Sequence, residues 1–180
     1  MNPSNKSGFR VPRDPNPMDL RESPSAVHAL AQPAMVPLDK HRFFAGRKRA
    51  RRYALQALYS WVLNDNSIAD IEAFMLSEHQ SGDLDLEYFQ TLLHQIPQQF
   101  QELDACFSPY LINRTPQELD LIELSVLRIA VYEFKMQQDL PYRVVINEAL
   151  ELAKTFGSDE SYKFVNSVLD KVRKDLRSSN

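Results

Sequence analysis

The stretch from residue 115 to about residue 137 constrains the fold more than any other part of the chain. Thr115-Pro116-Gln117-Glu118 has the form of a helix start, with Thr115 placed to cap, Pro116 suited to the first turn and Glu118 completing a capping box. The helix it opens is apolar on most sides: Leu119, Leu121, Ile122, Leu124, Val126, Leu127, Ile129, Ala130, Val131 and Tyr132 surround the helix axis instead of forming one stripe. Such a helix must itself be surrounded, so the chain is expected to fold as an all-α bundle with this helix at its centre.

The neighbouring segments agree. Residues 47–64 place Ala50, Ala54, Ala57, Leu58 and Trp61 on one helical face. Ser67 is positioned to cap a second helix over 68–78. A third helical region spans 85–111, and Pro97 inside it predicts a kink or break near Ile96. Asp139-Leu140-Pro141 ends the central helix. A fifth helix, 142–156, is expected to stop at Gly157 in a left-handed cap. Ser158 or Asp159 would cap the last helix, which runs to about Leu176 with Ser161, Val165, Val168, Leu169, Val172 and Leu176 as its core stripe. No strand-like alternation or internal repeat competes with this reading, and four glycines are few for a turn-rich β fold or a phosphate-cradling loop.

Residues 1–44 differ from the rest. Seven of the eleven prolines lie there and apolar residues obey no period, so this part reads as a disordered extension, with a short helix at 25–32 as an option and an overextended start as the alternative. Residues 45–180 form the expected domain. The first residues lack the charged-then-apolar pattern of a signal peptide. No apolar run approaches the roughly 20 residues that cross a bilayer. A single cysteine, Cys106, excludes an intrachain disulfide and a CxxC metal site, and points to a reducing cytoplasm.

Net charge is −3, so a nucleic-acid partner must be argued from where charge sits. It sits in Arg47-Lys48-Arg49-Ala50-Arg51-Arg52, five cations in six positions at a helix start. Both the helix dipole and i,i+4 like-charge repulsion oppose that placement. A helix that accepts both is suited to meeting an anion. Lys48, Arg52, Gln56 and Tyr59 share the face opposite the alanines, a basic stripe ending in a phenol that suits a phosphate backbone with a base beside it. A solvated charge run is the alternative. Glu160, Lys163 and Phe164 cluster at i, i+3 and i+4, with Phe164 either core or a platform for a base. Glu123 and Arg128 interrupt the apolar central helix and are read either as ion pairs to neighbouring helices or as a partner-binding face. Cys106 reads as packed, and Glu148 and Glu151 as a solvated face. His28, His41, His79 and His94 show no ligand spacing, and no nucleophile elbow or phosphate-binding motif occurs, so no metal, cofactor or catalytic residue is expected.

Several segments together resemble the NusB family of transcription antitermination factors: the Arg-rich start at 47–51 with Ala54-Leu55-Gln56-Ala57-Leu58-Tyr59 after it, then Leu127-Arg128-Ile129-Ala130-Val131-Tyr132-Glu133, then residues 145–154 and 163–171. The resemblance covers about residues 47–171 in order and spacing. It implies an all-α fold of two packed three-helix halves, binding of boxA RNA jointly with NusE (a small-subunit ribosomal protein), and recruitment to the RNA polymerase antitermination complex at ribosomal RNA operons. Carried residue by residue, it puts Arg47, Lys48, Arg49 and Arg51 on RNA, Lys163 and Phe164 on a second part of the RNA surface, and Tyr59 and Glu123 on the face meeting NusE. Glu160 stands where an Asp is expected, which bears on RNA affinity, and the Pro-rich extension is unusual for the family.

Two other functions compete. One is the helical RNA-binding domain that precedes ribosomal RNA cytosine methyltransferases, for which this chain offers no cofactor-binding sheet or Gly-rich loop. The other is a protein-interaction module using Tyr59 and Glu123 with incidental arginines. A monomer and a weak homodimer covering the RNA face both fit.

Overall fold

A computed structural model describes residues 40–64, 66–78 and 83–178. Of the extension read as disordered, residues 1–39, including the optional helix at 25–32, lie outside the described residues, whereas residues 40–44 are helical, as the first turn of α1. Among the described residues every regular element is helical: α1 (Lys40–Asn64), α2 (Ile68–Glu78), α3 (Leu86–Gln98), α4 (Phe100–Phe107), α5 (Leu121–Met136), α6 (Tyr142–Phe156) and α7 (Ser161–Ser178), with 3₁₀ turns at Ser108–Tyr110 and Pro116–Glu118.

The helix that is apolar on all sides is indeed the centre. α5 packs on α1, α3, α4, α6 and α7, and its residues from Glu123 to Glu133 are all buried. α1 to α3 form one half and α5 to α7 the other, with the short α4 lying across α5. Ala50, Ala54 and Ala57 of α1 are fully buried, and these small side chains let α1 approach α3 and α5. The stripe of α7 holds, with Val165, Val168, Leu169 and Val172 buried and Leu176 at the edge.

Two helix starts and one cap differ from the sequence reading, whereas the break expected at Pro97 is present. α1 starts at Lys40, not Arg47, and Gly46 lies inside it. A Cβ at Gly46 would meet the Asp83 carbonyl oxygen at 3.0 Å, and the Gly46 carbonyl accepts the Asp85 amide at 3.3 Å, so the turn before α3 lies directly on the helix backbone there. The long third region breaks at Gln99, after Pro97, and Asp85 caps α3 by accepting the Tyr88 amide at 3.1 Å. Glu118 does reach back to the Thr115 amide, at 2.7 Å, but this capping box closes only a 3₁₀ turn. α5 begins afresh at Leu121 because Asp120 accepts the Ile122 amide at 2.8 Å. Gly157 is extended (φ −88°), not left-handed. Glycine is needed there for space: a Cβ would lie 2.7 Å from the Ala153 carbonyl oxygen and 2.8 Å from the Ser161 Cβ.

Two buried arginines tie the centre together. Arg128 of α5 donates to both oxygens of Asp104 on α4, at 2.8 and 2.7 Å, and lies against the ring of Phe100. Of its two readings, the interhelical ion pair is therefore the one the fold realises. Arg51 of α1 makes the second tie, to Glu133 of α5.

Candidate nucleic-acid interface

Helical geometry splits the basic segment into two rows. Arg47 and Arg51, one turn apart, turn inward. Arg51 is 3% exposed: its Nε donates to Glu133 Oε1 at 2.7 Å, and Nη1 lies 3.7 Å from Glu148 Oε2. The Tyr88 hydroxyl donates to the same Glu133 oxygen. Burial pushes the Glu133 carboxyl upward, against the opposing pull of Arg51 and the Tyr88 hydrogen bond. Burial, then the Glu133 charge, also push the Tyr88 phenol well above its ordinary value. For Arg51 burial works against the charged form, but Glu133, Tyr88 and Glu148 together outweigh it and the guanidinium stays protonated. Arg51 is therefore a correction to the sequence reading. It does not belong to the exposed surface, because α5 brings a buried carboxylate to the inner side of α1. Arg47 is half-buried between the two environments, 3.2 Å from Asp85 Oδ2 and 4.1 Å above the Tyr88 ring.

Lys48, Arg52 and Gln56 are exposed, with Arg49 and Tyr59 at intermediate exposure, so the stripe grouped on the helical wheel is the outward one. Arg52 lies 5.5 Å from the ring of Phe156 at the end of α6. Past the Gly157 turn, Tyr162 takes Lys154 at 5.6 Å and Lys163 at 5.9 Å, and Arg114 lies 4.8 Å from the Phe164 ring. Cations and rings thus meet in three places, joining α1 to α6, α6 to α7, and α7 to the segment before the Pro116 turn. Each such exposed contact is worth about 0.5–1 kcal/mol.

Lys163 is exposed and pairs with Glu160 at 2.9 Å, so the Glu160 carboxylate competes with any phosphate for that ammonium. Phe164 is half-buried at the core margin, which combines features of both its readings. Sequence reasoning overlooked Arg114, Lys154, Phe156 and Tyr162. Tyr162 adjoins Lys163 and was within reach of inspection, whereas Arg114 is about 50 positions from Phe164 and meets it only through folding.

Of the two residues expected to face a protein partner, Tyr59 is half-buried on the outward side of α1. Glu123 is 8% exposed and accepts the Ser161 hydroxyl at 2.9 Å. It is corrected from surface contact to internal tie between α5 and α7, because α7 begins directly over the start of the central helix. Glu148 is likewise drawn partly inward by Arg51, while Glu151 stays exposed beside Lys154. Cys106 packs against the core, its thiol donating to the Glu102 carbonyl at 3.3 Å. Among the described residues, no three His, Cys, Asp or Glu side chains are grouped to hold a metal ion, and no helix is long and apolar enough to cross a membrane.

Residues 48–174 match the model of the NusB family. The chain belongs to the NusB family. The transcription antitermination protein NusB of Sodalis glossinidius (strain morsitans) is 53% identical over 133 residues, covering 74% of this chain and 95% of that protein. Among solved structures, T. maritima NusB is 30% identical with a TM-score of 0.62, over 72% of this chain and 91% of that one. A crystal structure of the antitermination factors NusB and NusE in complex with dsRNA is similar with 25% identity and a TM-score of 0.66, over 72% of this chain and 96% of that one. Membership makes the chain a transcription antitermination protein and not an enzyme. The NusB match opens at Lys48, so the first turns of α1, residues 40–47, precede it.

Proposed function

We propose that this NusB protein binds the boxA segment of nascent RNA jointly with NusE, joins the antitermination complex of RNA polymerase in the cytoplasm, and so protects ribosomal RNA operons from premature termination. The observation that carries the reading is the outward row of α1, where Lys48 and Arg52 are exposed, Arg49 is half-exposed, and none of the three has a salt bridge to an acidic side chain among the described residues. In this reading the RNA-binding domain, expected at residues 45–180, begins with α1 at Lys40, and the residues before it are an extension. Lys48 and Arg49 contact RNA, with Arg47 at the margin and Arg52 extending the row. Lys163 and Phe164 form the second contact, with Glu160 tuning the affinity of Lys163 for phosphate. Tyr59 carries the NusE-facing side. A similar fold solved with NusE and dsRNA supports the pairing of partners.

The test is a fluorescence titration of boxA RNA and a scrambled control, with and without NusE, at two salt concentrations. Preference for boxA, tightened by NusE, is the expected result. Equal binding of both RNAs that salt abolishes would reduce the cations to a generic polyanion patch.

A further inference from the structure

The outward row does not begin at Lys48. Phe44 precedes Lys48 by four residues and Arg52 by eight, which puts the three on one side of α1. Phe44 is 58% exposed, in line with the exposed Lys48 and Arg52.

The turn that carries it is docked, not fraying. Arg42 Nε lies 3.3 Å from Asp83 Oδ1, the Gly46 carbonyl accepts the Asp85 amide, and Arg47 pairs with Asp85. The ring is also buttressed. Phe44 meets Phe43 edge-on with centroids 5.7 Å apart, and the Arg47 guanidinium lies 5.0 Å from the Phe43 ring. The half-buried Arg47 thus rests on the Phe43 ring, and Phe43 in turn meets the outward-facing Phe44. A fixed, exposed ring aligned with a row of cations is the arrangement that holds a single-stranded base while its phosphates meet the charges.

We infer that residues 42–48 add a nucleotide subsite to the RNA surface, with Phe44 stacking on a base that flanks the segment held by Lys48, Arg49 and Arg52. The inference rests on the RNA-binding reading above. Phe44 itself lies before the NusB match, and the subsite extends the single-stranded footprint by one turn of helix. Charge favours RNA over an apolar protein segment as the occupant, because Lys48, Arg49 and Arg52 lie on the two turns after Phe44.

The test uses the full chain and three RNAs: a boxA core, the core with flanking nucleotides carrying 2-aminopurine, and a scrambled RNA with the same flanks. Wild type should quench the flanking 2-aminopurine. Phe44→Ala should abolish that quenching and weaken the flanked RNAs by about tenfold, the lower range for one stacked base, while leaving the unflanked core unchanged. Phe44→Trp should retain both. Unaltered quenching in Phe44→Ala overturns the subsite. So does an equal loss for flanked and unflanked RNA accompanied by a lower melting temperature, which would make Phe44 a packing residue. Equal affinity for boxA and scrambled RNA with Phe44-dependent quenching would instead remove boxA recognition and leave the subsite standing.

Discussion

Arg51 and Arg52 are adjacent in sequence and of one residue type, yet they occupy opposite environments. Arg51 is enclosed by Glu133, Glu148 and Tyr88, and its charge is neutralised inside the protein. Arg52 lies on the surface with Lys48, its guanidinium resting on Phe156. The helix repeat separates them by about 100°, and that rotation decides whether a cation stabilises the fold or remains available to an external anion. A charge cluster counted along the sequence therefore overstates the charge offered to RNA.

The largest effect should come from breaking the inner row. Arg51→Met leaves Glu133 buried without its cation and is expected to lower stability by about 3–5 kcal/mol, read by chemical denaturation. Any loss of RNA binding should then track the unfolded fraction. A stable Arg51→Met protein that fails to bind RNA would erase the distinction between the rows.

The outer row should behave in the opposite way. Replacing Lys48, Arg49 and Arg52 together by Ala should change stability by about 0.5 kcal/mol or less at Lys48 and Arg49 and by at most about 1 kcal/mol at Arg52, which also loses its contact with Phe156. Three lost phosphate contacts should flatten the salt dependence of RNA affinity by about 2 units, since single strands give roughly 0.7 per contact. An unchanged slope would remove these residues from the RNA surface.

Phe164 sharpens the contrast because it stands at the boundary. Phe164→Ala should cost about 1–3 kcal/mol in RNA binding if its ring stacks on a base. If melting temperature falls by an equivalent amount and affinity does not, Phe164 acts as core and Arg114 merely covers it.

The smallest expected effect lies away from both rows, in the tie between α2 and α3. The Gln90 amide, then His94, hold the Glu72 carboxyl below its ordinary range through hydrogen bonds of 2.7 Å each. A depressed carboxylate contributes stability above its unfolded value and loses it as pH falls through the lower folded value. Wild type should therefore melt above Glu72→Gln near neutral pH, by at most the few degrees that about 1 kcal/mol represents, with the gap closing as pH falls through the depressed Glu72 value. A gap that widens on acidification would assign the stabilising role to another group.

Much of the architecture was legible in the residues. A helix apolar on every side needs neighbours on every side, and α5 has them. The alanine face of α1 and the stripe of α7 were equally plain, because helical periodicity is a local property. Helix ends were less so. The capping box at Thr115 is present, but Asp120 offers a second cap a few residues later and wins the long helix. Gly157 signals a stop in sequence, whereas its need for space comes from Ser161 after the chain has turned.

For the site, sequence by itself determined that a dense cation cluster lies on an amphipathic helix, and which of its members oppose the alanine face. Only the tertiary structure decided which cations remain outside, that Arg114 reaches Phe164, that Glu123 is an internal tie, and that the turn before the cluster is docked with Phe44 outward. The physical reason is the same throughout. Helical phase is set by residues a few positions apart, whereas burial and charge neutralisation depend on groups such as Glu133, Asp85 and Ser161 that arrive from elsewhere in the chain.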